Sequence, residues 1–158
     1  MASIFDLRPN RDCGDESLLS LRVPPDPRYG HLVRERVVTY AAGQGVGADA
    51  LSGLLFAIGE ALANAIEHSG CDNAIEIGVR VDAGKIVATI VDAGRGLREQ
   101  IPRRAPFPEG LAERGRGIPI MQRCTDIFAV YTVAGRGTVI ELGCYLAPLA
   151  SEGSAAAG

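Results

Sequence analysis

A chain of 158 residues, 47% hydrophobic and 22% charged, has the length and balance of one ordinary globular domain able to bury a core without covalent staples. A net charge of −3, no Trp and few aromatics supply neither a basic patch nor a base-stacking platform, so no nucleic-acid partner is expected. Cys13, Cys71, Cys124 and Cys144 are scattered with no C-x-x-C pair and only His31 and His68 beside them, which argues against a zinc site. No apolar run approaches the roughly 20 residues of a membrane span and no basic-then-apolar leader opens the chain, so no membrane partner and a reduced, cytoplasmic setting are expected.

In chain order, residues 1–16 are polar and irregular and 147–158 small and featureless; both read as flexible, leaving 17–146 as the folded domain. Leu19, Leu21 and Val23 alternate up to Pro24 and Pro25, a strand. Asp26-Pro27 is a helix start, and Leu32, Val33 and Val37 carry that helix to about Ala42. Glycines 43, 45 and 47 break it. A second helix runs from Ala48 to about His68, with Leu51, Leu54, Leu55, Ile58, Leu62, Ala65 and Ile66 at helical spacing. Ile75, Ile77, Val79 and Val81 alternate, a tight turn follows at 82–85, and 86–91 returns as a more buried strand. Residues 97–113 form a loop rich in Pro and Arg, 118–125 a helix with Pro119 in its first turn, and 127–133 with 138–145 a second hairpin. The order β-α-α-β-β-α-β-β predicts an α+β two-layer sandwich: a mixed, mostly antiparallel sheet with helices on one face.

Three stretches stand out from this frame. Glu60, Asn64 and His68 lie at i, i+4 and i+8 and share one stripe at the margin of the second helix's apolar side. Such a stripe is commonly just a solvated helix face. It also suits phosphoryl chemistry: Asn64 offers a neutral oxygen to a Mg2+ that keeps most of its waters, and Glu60 can take a proton from a hydroxyl near a terminal phosphate. Asp92-Ala-Gly94-Arg-Gly96 closes a buried strand, where a carboxylate can accept from an exocyclic amine such as adenine's; a plain strand-end turn has the same composition. Gly115-Arg116-Gly117 opens a helix whose free N–H groups and dipole favour an anion, with Arg114 and Arg116 adding charge. It is neither a Walker loop nor a dinucleotide fingerprint, and a glycine hinge would look alike. Gly137-Thr138 adds a hydroxyl at the start of the last strand. The Pro- and Arg-bearing loop between the glycine turns could cover a bound nucleotide.

Singly each stretch is ordinary; their order is not. Glu60-x-x-x-Asn64 resembles the N box of the GHKL ATPase superfamily with its Bergerat ATP-binding fold, Asp92-x-Gly94-x-Gly96 the first glycine box, Gly115-x-Gly117 the second, and Gly137-Thr138 the closing threonine motif. The compact size and the run Asn64-Ala-Ile-Glu-His68 resemble the bacterial anti-sigma factor serine/threonine kinases, while Ile118-Pro119 is closer to their switch-kinase relatives. The resemblance implies a Mg2+-ATP-dependent kinase that phosphorylates a serine on a STAS-domain anti-anti-sigma protein, regulates transcription by partner switching with a sigma factor, and often forms a homodimer. By position it makes Glu60 the base, Asn64 the Mg2+ ligand and Asp92 the adenine reader. Gly94, Gly96, Leu97, Arg114, Gly115, Arg116, Gly117, Ile118 and Thr138 would line the nucleotide. His31, Arg28 and Arg34 on the first helix are candidates for partner contact. The alternative is a non-catalytic, ATP-gated module that sequesters a sigma factor or other partner; a base at Glu60 favours the kinase.

Overall fold

The computed structural model describes residues 18–70, 73–97, 100–110 and 115–147. The end segments expected at 1–16 and, save for Ala147, at 147–158 lie outside these residues, as do Cys13, Cys71 and Arg114. The elements are β1 (Leu18–Val23), a 3-10 turn (Pro27–Tyr29), α1 (Gly30–Gly43), α2 (Ala48–His68), β2 (Ile75–Asp82), β3 (Lys85–Val91), α3 (Gly117–Cys124), β4 (Ile127–Val133) and β5 (Gly137–Tyr145). That is the expected order, with one refinement at Asp26. Its carboxylate accepts from the Arg28 backbone N–H at 2.9 Å and from the Arg28 guanidinium at 2.7–3.1 Å, which starts the chain as a 3-10 turn before α1. The Arg28 side-chain hydrogen bond holds the Asp26 carboxyl below the usual carboxylate range.

The five strands form one sheet in the order β1-β2-β3-β5-β4, and all four pairings are antiparallel. The expected mixed, mostly antiparallel sheet is antiparallel at every pairing among the described residues. The reason for the crossover lies in strand composition. β5 is buried at seven of nine positions and needs a neighbour on each side, whereas β4 is half-exposed throughout and takes the edge. Leu21, Ile77, Ile90, Ile140 and Val130 stand in register across all five strands on one face. Onto that face α2 lowers Leu54, Ile58, Ala61 and Ala65, all buried. Each Leu or Ile fully buried there contributes roughly 1.5–3 kcal/mol relative to exposure.

By length and composition α2 is apolar enough to cross a membrane, with a mean hydropathy of 1.3 over its most apolar window. Its eight buried residues instead form the centre of the core between sheet and helices. α3 packs beside it, and Gly53 permits the approach: a Cβ there would stand 2.7 Å from the Cys124 carbonyl oxygen. Cys124 and Cys144 are free thiols, and burial pushes the Cys144 thiol up, which keeps it protonated and inert. The register Val91↔Val139 brings the end of β3 beside the start of β5. The C-terminal half of α2 and the first turn of α3 arrive at the same end of the sheet.

Candidate functional site

The wall of this site nearest the sheet is built on Asp92, 5% exposed at the end of β3. Its backbone N–H donates to the Thr138 carbonyl at 3.0 Å, prolonging the β3–β5 ladder by one rung. Its side-chain Oδ1 accepts from the Gly94 N–H at 2.8 Å and from the Thr138 N–H at 3.4 Å. Both bonds fall on Oδ1, and among the described residues none reaches Oδ2. The carboxylate is thus fixed in orientation with one oxygen still able to accept.

Glycines make this wall possible. At Gly137, φ is +100°, and a Cβ would land on the Asp92 carbonyl oxygen and 2.8 Å from the Gly94 nitrogen. At Gly94 a Cβ would stand 2.7 Å from the His68 carbonyl oxygen and 2.8 Å from Asp92 Oδ1. The 92–96 turn is therefore wedged between the C-terminus of α2 and the start of β5, where only hydrogen fits. It continues to the edge strand. Thr132 Oγ1 accepts from the Leu97 N–H at 3.0 Å, and a Cβ on Gly96 would be 2.5 Å from Thr132 Cγ2.

The facing wall joins α2 to α3. Glu60 and Asn64 are half-buried one turn apart on α2. Gly117, the first residue of α3, faces both: a Cβ there would stand 3.2 Å from Asn64 Nδ2, 3.3 Å from Asn64 Oδ1 and 3.4 Å from Glu60 Oε2. The N-cap residue Arg116 makes no side-chain bond to α3, and among the described residues no side chain bonds its first-turn amides, which suits them to an anion. Gly115, with φ +84°, turns the chain into this helix.

The structure thus brings Glu60, Asn64 and Gly117 together, and separately Asp92, Gly94 and Thr138, at one end of the molecule. Leu97 and Gly96 belong to the second group through Thr132. His68 does not join by its side chain, which is exposed; its carbonyl backs Gly94. The Ile118 side chain packs against the core and leaves only its backbone to the site. Arg116 is exposed and donates to the Gly110 carbonyl at 3.4 Å, and Arg114 lies outside the described residues. Thr132 was missed by sequence reasoning, although the second hairpin's register sets it opposite Thr138. The basic residues of the first helix stand elsewhere: His31 Nε2 lies 3.3 Å from Glu35 Oε1, and Arg34 borders a groove of about 570 Å³ between α1 and α2, floored by Leu55, Ile58 and Leu62.

An antiparallel sheet covered on one face by helices, with glycine turns meeting an Asp at one strand end and a Glu–Asn helix stripe opposite, is the layout of a nucleotide-binding ATPase domain. Residues 23–143 match the family model described as the histidine kinase-like ATPase domain, and the chain belongs to that family. Among solved structures, the chain resembles the RsbU and RsbW domains of Rv1364c from Mycobacterium tuberculosis with a TM-score of 0.63 and 18% identity. That likeness covers 83% of this chain and 33% of the other, so this chain spans about a third of that structure's length and shares its fold. No protein of curated function matches the chain.

Proposed function

We propose that this domain is an ATP-dependent serine/threonine protein kinase acting as an anti-sigma factor or partner-switching regulator, with a serine of a STAS-domain anti-anti-sigma protein as its acceptor. Membership of the ATPase family supports the nucleotide, and likeness in fold to a structure that includes an RsbW domain is in keeping with the partner class. The observation that carries the catalytic half is the approach of Gly117 to Glu60 and Asn64. It puts a carboxylate and a carboxamide beside the first-turn amides of α3, in a gap that a Cβ at position 117 would narrow.

In this reading Asp92 Oδ2 accepts from the adenine amine while Oδ1 keeps its bonds to Gly94 and Thr138. Gly94, Gly96, Leu97, Gly115, Gly117 and Thr138 line the nucleotide, and the first turn of α3 receives phosphate oxygens together with Arg114 and Arg116. The Asn64 amide oxygen fits Mg2+ as one neutral ligand among waters, and the ion when bound offsets charge on the phosphates. Glu60 takes the proton of the acceptor hydroxyl as that oxygen bonds to the γ-phosphorus, and the bond from that phosphorus to the bridging oxygen breaks, releasing ADP. Positioning supplies most of the acceleration. A sigma factor and a second copy of the chain are the further partners, with His31, Arg28 and Arg34 among the exposed groups available to them.

The test is transfer of labelled γ-phosphate to a purified STAS-domain protein that binds this chain. Glu60→Gln is expected to lower transfer by about 10²–10⁴-fold while ATP still binds. Wild-type protein that binds Mg2+-ATP and the partner yet transfers nothing would leave the ATP-gated binding module as the correct description.

A further inference from the structure

The segment 100–110 carries Pro102, Pro106 and Pro108 and so lacks three of the backbone donors that a helix or sheet edge would use. Its order must come from outside itself. The outer face of α3 provides it. Gln122 Oε1 accepts from the Ala105 N–H at 2.6 Å, and Gln122 Nε2 donates to the Pro102 carbonyl at 2.8 Å. One carboxamide thereby grips two backbone groups three residues apart. Arg123 Nη1 donates to the Ala105 carbonyl at 3.5 Å and to the Pro119 carbonyl at 3.1 Å, and its guanidinium lies 4.2 Å from the centroid of the Phe107 ring. Ala105 is held at both its N–H and its C=O and is 8% exposed in an otherwise open stretch.

From this grip the segment runs back along α3 toward its first turn. Pro108 Cγ lies 3.5 Å from where a Cβ on Gly115 would be, and the Gly110 carbonyl accepts from Arg116 at 3.4 Å. Two residues beyond Gly115, Gly117 faces Glu60 and Asn64. The strap is thus moored at the far end of α3 and passes the end where a phosphate would sit.

We propose that Gln122 and Arg123 are positioning residues that moor this strap and so set how fast bound nucleotide escapes. The inference rests on the reading of the site as an ATP site. Neither side chain faces the core or the Glu60–Asn64 pair, so their loss is expected to free the strap without disturbing the wall that reads the base. A net hydrogen bond lost from the closed arrangement corresponds to a change of roughly tenfold.

Stopped-flow release of a fluorescent ATP analogue with Mg2+, in the full chain, tests this alongside hydrogen exchange at the Ala105 amide. Gln122→Ala is expected to speed both nucleotide release and Ala105 exchange by about tenfold, with association changed by less than about twofold. Arg123→Ala should act in the same direction, and Arg123→Lys, which keeps a donor but loses the planar contact with Phe107, should fall between it and wild type. Gln122→Glu keeps the acceptor for Ala105 and covers the case in which Gln122→Ala fails to fold; it should release nucleotide at an intermediate rate. Wild-type release rates in variants whose Ala105 amide has become exchangeable would overturn the inference, as would weaker binding that arises from slower association alone. A wild-type chain that binds no nucleotide would instead overturn the ATP reading, and this inference with it.

Discussion

The 92–96 turn and the 115–117 turn share a Gly-Arg-Gly triplet, set in opposite surroundings. Around the first, backbone from α2, β3 and β5 closes to the point where a Cβ at Gly94 or Gly137 has no room. Around the second, among the described residues, a Cβ at Gly115 meets Pro108 at 3.5 Å, and the atoms nearest one at Gly117 belong to the side chains of Asn64 and Glu60. One end of the site is therefore built before any ligand arrives, and the other is left to be completed. A base is a rigid, uncharged plane that rewards a fixed acceptor, whereas a triphosphate is flexible and strongly charged and is well served by open amides and movable cations.

Substitutions can break this contrast from either side. The largest effect is expected from Gly137→Ala. The new Cβ collides with Asp92 backbone at a φ that L residues rarely adopt, so destabilisation of roughly 3 kcal/mol or more should appear in chemical denaturation. Asp92→Asn should fold, since the amide retains one oxygen for Gly94 and Thr138. In the proposed reading it turns a donor toward the adenine amine, and ATP affinity is expected to fall about 10–100-fold by calorimetry. In Gly117→Ala the atoms nearest the new Cβ are the Asn64 amide and Glu60 Oε2, and a few tenths of an ångström of movement accommodates it. Stability should change by less than about 1 kcal/mol, because alanine also favours the helix, while ATP affinity drops about three- to tenfold as Asn64 is displaced. The smallest change is expected away from both turns. At Gly59, exposed on α2 with nothing within 4 Å of a Cβ, alanine should stabilise the fold by about 0.5–1 kcal/mol and leave nucleotide binding as it was.

Much of this was legible in the sequence for physical reasons that can be named. α2 declares itself through the spacing of Leu51, Leu54, Ile58 and Leu62, and its bounds were read as they stand. The strands follow from alternation at 75–81 and from turns rich in glycine. What alternation does not encode is which strands become neighbours. The pairing of β3 with β5 and the displacement of β4 to the edge depend on how much surface each buries, so periodicity yields a mixed, mostly antiparallel sheet, and every pairing among the described residues is antiparallel. At the site, helical spacing put Glu60 and Asn64 on one stripe, and the structure brings Gly117 against them. The same spacing offered His68 as a third member, but at the last turn of α2 its side chain points to solvent. Contacts that span the fold left no local trace. Thr132 beneath Gly96, Gly53 beneath Cys124 and Gln122 across from Pro102 each join residues distant in sequence, and each was ordinary in its own neighbourhood.

Asp92 is proposed to hold a fixed carboxylate ready for an adenine amine. Calorimetric titration of the wild-type chain with ATP and with GTP, both with Mg2+, measures it most directly. ATP is expected to bind at least about 100-fold more tightly, because guanine would turn a carbonyl oxygen toward Asp92 Oδ2 where adenine turns a donor. Equal affinity for the two nucleotides, or no binding of ATP at all, would contradict the account.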